Sequence, residues 1–364
     1  MAVWCALLNN STRSNEPQLE AHFNYWRVAD SKKKRNDFLE VGLMLTHSHH
    51  IDKICIFVPI KINRKKVSDC GKYFSDANIA QGIFNEILIP TILPPGEIKA
   101  IELQTQSRTQ FCRVHKFLEN NDSIDSSELN VESLDSGTLI TIKKSVLDSV
   151  NKNLADGSKS YIRLRIEMPD SEGSPFIRKI TPADNFLQSG YEEVEYIDFR
   201  VNEARTLPDP VEAMIRTDGS NGTLKFKYLA FLTAIPVLAE LTVSNSMSHK
   251  NRLLEKEPWN SYVPLGIPSG MMVYHWKKVD QNNGFDDFSA FVKLQTRRSN
   301  KWTIFTYLII AFFFGVFGNL LASCIDRSIN LDKVEEVPPP IINTEDATKE
   351  DLTRENPIKS DDVQ

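Results

Sequence analysis

Apolar and polar side chains alternate with a period of two along several short stretches of this chain. Tyr161–Met168 is the clearest: Ile162, Leu164, Ile166 and Met168 are apolar, and Arg163 and Arg165 stand between them. This period puts successive side chains on opposite faces and predicts a half-buried antiparallel strand, with its polar face in solvent. Val194–Val201 behaves similarly. Runs of β-branched, aromatic and leucine side chains mark further strands at His22–Ala29, Phe38–His47, Lys53–Ile62, Gly137–Lys143 and Phe176–Thr181. The series continues with Glu193–Asn202, Thr223–Thr233, Val237–Ser244, Met271–Lys278 and Phe288–Leu294.

Helical spacing is rarer. Ile79, Ile83, Phe84 and Ile87 share one helical face, with Ser75 or Asp76 in position to cap it. Val146, Leu147, Val150 and Leu154 make a second short face that stops near Gly157. Pro210–Arg216 has room for a turn or two. Strands outnumber helices and do not alternate with them. The expected fold class is therefore mainly β, antiparallel and sandwich-like with short helical insertions, an α+β arrangement being the alternative.

One stretch follows neither period. Trp302–Ile325 contains no charged residue over 24 positions. As a helix it would reach about 36 Å, enough to cross a hydrocarbon core about 30 Å thick. It divides the chain into a β-rich region over 1–298, a transmembrane helix over 302–325 and a tail over 326–364. Within the first region, Glu119–Gly137 is acidic, rich in Ser and Asn, and reads either as a linker between two β domains or as a long loop on one.

Charge sharpens this organisation. The 364 residues carry a net −5, yet the tail holds 11 acidic against 5 basic residues, a net −6. What precedes it is nearly neutral, which gives no reason to expect nucleic acid as a partner. The tail, with Pro338, Pro339 and Pro340, reads as disordered. The N-terminus lacks a basic segment followed by a long apolar one, so the late helix is expected to direct insertion itself. Lys293, Arg297, Arg298 and Lys301 precede the helix, and only Arg327 and Lys333 follow closely. This bias places residues 1–301 on the cytoplasmic side and the tail opposite. Of the five cysteines, Cys324 lies in the helix, and the other four show no CxxC spacing. Reduced, buried thiols are expected.

Candidate chemistry is sparse. His47, His49 and Asp52 follow a strand and suggest a metal site. Their order differs from the HxHxDH loop of metallo-β-lactamase-like hydrolases, because Ile51 and Asp52 stand where Asp and His belong. Zinc needs at least three convergent ligands, so the simpler expectation is a polar hairpin turn and no metal. Lys32, Lys33, Lys34 and Arg35, and again Lys61, Arg64, Lys65 and Lys66, form basic clusters suited to an anionic ligand or a membrane surface, or to plain solvation of loops. Asp198, Arg200, Glu203 and Arg205 suit an ion-pair network. P-loop, GxSxG, HExxH and Rossmann signatures are absent, and no cofactor is expected.

In the apolar helix, Ala311, Gly315, Gly318, Asn319 and Ala322 form one stripe of small residues with an amide, the pattern of a surface that associates with another helix. The leading expectation is a single-pass membrane protein. Its β-rich domain binds an anionic small ligand or a protein, and its helix tethers it to the lipid bilayer and supports a homo-oligomer. A tethered hydrolase using His47, His49 and Asp52, and a passive scaffold, are the alternatives.

Overall fold

The computed structural model describes residues 1–9, 15–29, 35–93, 99–169, 173–180, 192–245, 250–268, 270–297 and 301–331. Lys32, Lys33, Lys34 and the tail beyond Leu331 lie outside the described residues. The chain forms two compact units, Met1–Ser299 and Asn300–Gln364.

The first unit begins with β1 (Ala2–Leu7), β2 (Gln18–Trp26), β3 (Phe38–Thr46), β4 (Ile51–Val58), β5 (Val67–Asp69), α1 (Ala77–Phe84), β6 (Leu88–Ile92), β7 (Ala100–Thr105) and β8 (Gln110–His115). It continues through β9 (Glu119–Asn120), β10 (Ser123–Ile124), β11 (Leu129–Leu134), β12 (Gly137–Ile142), α2 (Lys144–Asn151), β13 (Lys159–Glu167), β14 (Ile177–Ile180) and β15 (Glu192–Val201). Then come α3 (Asp209–Asp218), β16 (Phe226–Pro236), β17 (Ala239–Ser244), β18 (Lys250–Leu253), α4 (Lys256–Asn260), β19 (Met271–Val279) and β20 (Phe288–Arg297). The second unit contains α5 (Lys301–Leu331).

The fold is mainly β, with mostly antiparallel sheets and short helices. A ten-stranded sheet runs in the order β18-β19-β16-β2-β3-β13-β8-β7-β6, with β5 added beside β13. Among the described residues two of its pairings are parallel, β16 with β2 and β13 with β8. Two four-stranded sheets, β1-β4-β12-β11 and β14-β15-β20-β17, share a core with one face of the large sheet. Alternation fixes that face: Leu19, Ala21 and Phe23 of β2, Val41 and Leu43 of β3, and Ile162, Leu164 and Ile166 of β13 all point into it. Helix α3 covers the outside of the first small sheet, its Val211 clustering with Trp4, Phe57 and Leu139.

Two expectations need correction. The strands either side of His47 do not make a hairpin. β3 pairs with β2 and β13 in the large sheet, whereas β4 pairs with β1 and β12, so the turn at Ser48–His50 crosses between sheets. β13 alternates as expected, but its polar face is not in solvent: Arg163 and Arg165 are buried. Residues 119–137 hold the small β9–β10 hairpin and β11, which pairs with β12 from Leu129↔Ile142 to Leu134↔Gly137.

Helix α5 contains an apolar stretch, Ile304–Ile329, of 26 residues. It spans about 39 Å and is long and apolar enough to cross a membrane. Cys5, Cys55, Cys70 and Cys112 are free and buried, and burial pushes the Cys55 thiol up to about 11.

Candidate functional site

The second face of the large sheet carries polar side chains, and they meet in a cleft of about 760 Å³. Each strand contributes every other residue: Glu20, His22 and Asn24 from β2, Lys159 and Arg163 from β13, Tyr228 and Leu232 from β16, His275 and Lys277 from β19. α1 and α4 form a wall. The Asp76 carboxylate caps α1 by accepting from the Asn78 N–H (2.9 Å), and α1 ends where Asn85 turns left-handed. Gly82 lets α1 approach α4, because a Cβ there would lie 2.5 Å from the Trp259 ring.

Beneath the cleft lies a buried ion triad. Glu40 is fully buried between Arg163 (2.6 Å) and Arg165 (2.8 Å). Burial opposes ionisation of Glu40, but the two guanidinium groups hold its carboxyl below the usual carboxylate range. Arg163 also donates to the Tyr262 hydroxyl (3.1 Å) and the Tyr161 hydroxyl (2.9 Å). With its amide oriented to bond, Asn24 accepts from Arg163 Nη2 at 2.7 Å. Arg165 donates to the Tyr262 carbonyl and stacks over Phe38 and Tyr262, 4.5 and 4.6 Å from the ring centroids. Two cations and one anion leave the triad with one net positive charge, and Arg163 lines the cleft.

The walls add charge unevenly. Lys159 is paired with Glu20 (3.0 Å), and Arg252 with Glu255. Lys250 and Lys277 are exposed and, among the described residues, have no carboxylate at ion-pair distance. His22 adds none. Burial, reinforced by the nearby Arg163, lowers its pKa to about 3, so it is neutral at physiological pH. Glu86 also lines the cleft, yet the lining holds five Lys and Arg residues against three Glu, and this excess is suited to hold an anion against a partly aromatic surface.

The residues singled out from sequence that are described lie elsewhere. Arg35 is buried and donates to the Leu265 carbonyl. Arg64 is half-buried and clamps the Ile124 and Leu129 carbonyls at 2.9 and 2.6 Å. Lys61 and Lys65 are exposed and Lys66 half-buried, and none of these five residues lines the cleft. His47 Nδ1 lies 2.9 Å from Asp156, beside His49, in a separate hollow of about 360 Å³, whereas Asp52 is exposed on β4. Among the described residues, no group of three or more His, Cys, Asp or Glu converges as a metal ion would require. Asp198, Arg200, Glu203 and Arg205 form a chain of ion pairs at 2.8, 3.3 and 2.8 Å. In α5, Ala311, Gly315, Gly318, Asn319 and Ala322 are all exposed, and a Cβ on either glycine would meet nothing within 4 Å.

The sequence did carry one unused signal for the cleft. Glu40 is the only charged residue in Phe38-Leu-Glu-Val-Gly-Leu-Met-Leu45, and a lone carboxylate in an apolar strand needs a buried cationic partner. No protein-family model matches the chain, and no curated protein is similar to it.

Proposed function

We propose that this chain is a single-pass membrane protein whose β-rich domain binds an anionic small ligand in the cleft of the ten-stranded sheet. The domain lies on the cytoplasmic side, in keeping with the excess of basic residues before the helix. The helix tethers it and associates with a second copy through the stripe at Gly315 and Gly318. In this reading, ligand binding by the domain changes the association of the helix.

One observation carries the binding role: the net positive charge buried under the cleft with Arg163 at its floor, beside Lys250 and Lys277. A net charge held away from water is costly unless compensated, and an anion in the cleft supplies the compensation. The test is thermal unfolding of the full chain in detergent with pyrophosphate or citrate. At roughly 100 times Kd, a ligand of the native state adds about 2.7 kcal/mol of stability. Charge reversal by Lys250→Glu with Lys277→Glu should abolish the upward shift. A midpoint that neither anion moves in the unmodified protein would remove the proposal.

A further inference from the structure

We infer that the anion this cleft takes is a nucleotide, with its base on the aromatic end at His22 and its phosphates at Lys250 and Lys277. The inference rests on the anion-binding reading above and narrows it to one ligand class.

The cleft is divided along the sheet. Its register aligns Lys277 of β19, Ala230 of β16, His22 of β2, Gly42 of β3 and Arg163 of β13 in one row across the strands. Neighbouring strands are about 4.8 Å apart, so His22 and Lys277, two strands apart, are separated by about 10 Å. A ribose with one or two phosphates covers such a span. Ala230, which stands between them, leaves the path along the sheet surface open.

The two ends differ in chemistry. Around His22, aromatic rings meet without filling the space: Phe84 lies 6.0 Å from His22 and 5.1 Å from Phe111, and Tyr228 stands perpendicular to His22 at 5.7 Å. All four side chains are half-buried and line the cleft, so each keeps part of its surface exposed to the space inside it. A flat heterocycle would cover that surface by stacking, whatever its base identity. Gln81 and Asn85, on the wall above, offer neutral donors and acceptors to a base edge. At the other end, Lys250 is opposite His275 on the adjacent strand, two residues from Lys277 and on the same face. Two ammonium groups without carboxylate partners among the described residues suit a phosphate group better than a single carboxylate. A simple inorganic anion would use the lysines and leave the aromatic end uncovered. A neutral aromatic ligand would do the reverse.

The experiment is isothermal titration of the full chain in detergent with ATP, GTP, CTP, UTP, pyrophosphate and citrate. At least one nucleotide should bind about tenfold or more tightly than pyrophosphate, because only it covers both ends. Lys250→Gln with Lys277→Gln should weaken that nucleotide and pyrophosphate alike, by about tenfold or more. Phe111→Leu should weaken the nucleotide by a similar factor and leave pyrophosphate unchanged. Tyr228→Leu is the second probe of the aromatic end should Phe111→Leu fail to fold. Pyrophosphate or citrate binding as tightly as every nucleotide would overturn the nucleotide assignment and leave the anion-binding reading standing. No binding of any of the six to folded protein would overturn both.

Discussion

Asp69 illustrates how one residue can set a pH response that its sequence neighbours do not announce. It is buried on β5, where its carboxylate accepts from the Gly71 N–H at 2.7 Å. Burial pushes its pKa from 3.8 up to about 7, and the nearby Glu119 adds to the rise against the pull of backbone amides. A carboxyl that binds its proton more tightly in the fold than in the unfolded chain makes stability fall as pH rises through that interval. The full chain should therefore lose up to about 4 kcal/mol between roughly pH 4 and pH 7 through this group alone. Asp69→Asn keeps an acceptor for Gly71 and should flatten that part of the curve in urea titrations. Equal slopes for the two proteins would mean that Asp69 is ionised in the fold. Glu40 shows the opposite outcome for a buried carboxyl, because Arg163 and Arg165 pair with it directly, whereas Asp69 feels a cation only through the weaker pull of Lys72.

Most strands were legible because alternation is a local property. β2, β3, β13, β15, β16, β19 and β20 all lie where the pattern placed strands, with ends moved by a few residues. β1 was not legible as a strand because both its faces are buried, which erases alternation. β6 and β8 were missed for other reasons: β6 contains Pro90 on a sheet edge, and β8 buries the polar Arg113 and His115 among its apolar residues. α4 is shorter than any window in which helical spacing can be counted. α5, by contrast, needs no periodicity, because absence of charge identifies it. Its proposed association depends on close approach of backbones at Gly315 and Gly318, with the Asn319 amide able to bond across helices. Gly315→Leu with Gly318→Leu should cost roughly 1–2 kcal/mol of self-association, about 5–30-fold, in sedimentation or energy-transfer measurements in detergent. An unchanged oligomeric state would leave the helix as a tether only.

At the scale of the molecule, the division into Met1–Ser299 and Asn300–Gln364 predicts that the first unit folds by itself. Fragment 1–299 should unfold cooperatively at the same temperature as the domain in the full chain and be released from membranes by alkaline washing, which the full chain should resist. In vesicles sealed with their cytoplasmic face inward, added protease should remove the tail and spare the domain; digestion of the domain would reverse the proposed orientation. The amino-acid sequence alone determined the mainly β character and the apolar helix, because strand alternation and an uncharged run depend only on neighbours along the chain. Where the polar faces went was decided by tertiary structure. Arg163 and Arg165 read as a solvent face, yet pairing between β3 and β13 brings them to Glu40, and packing by Tyr262 and Phe38 removes that face from water. The cleft likewise gathers Lys159, Lys250 and Lys277 from strands far apart in the chain, and such convergence leaves no local trace. The described members of the Lys and Arg clusters, Arg35, Lys61, Arg64, Lys65 and Lys66, line no part of this cleft, because its lining is set by register across strands and not by neighbours along the chain.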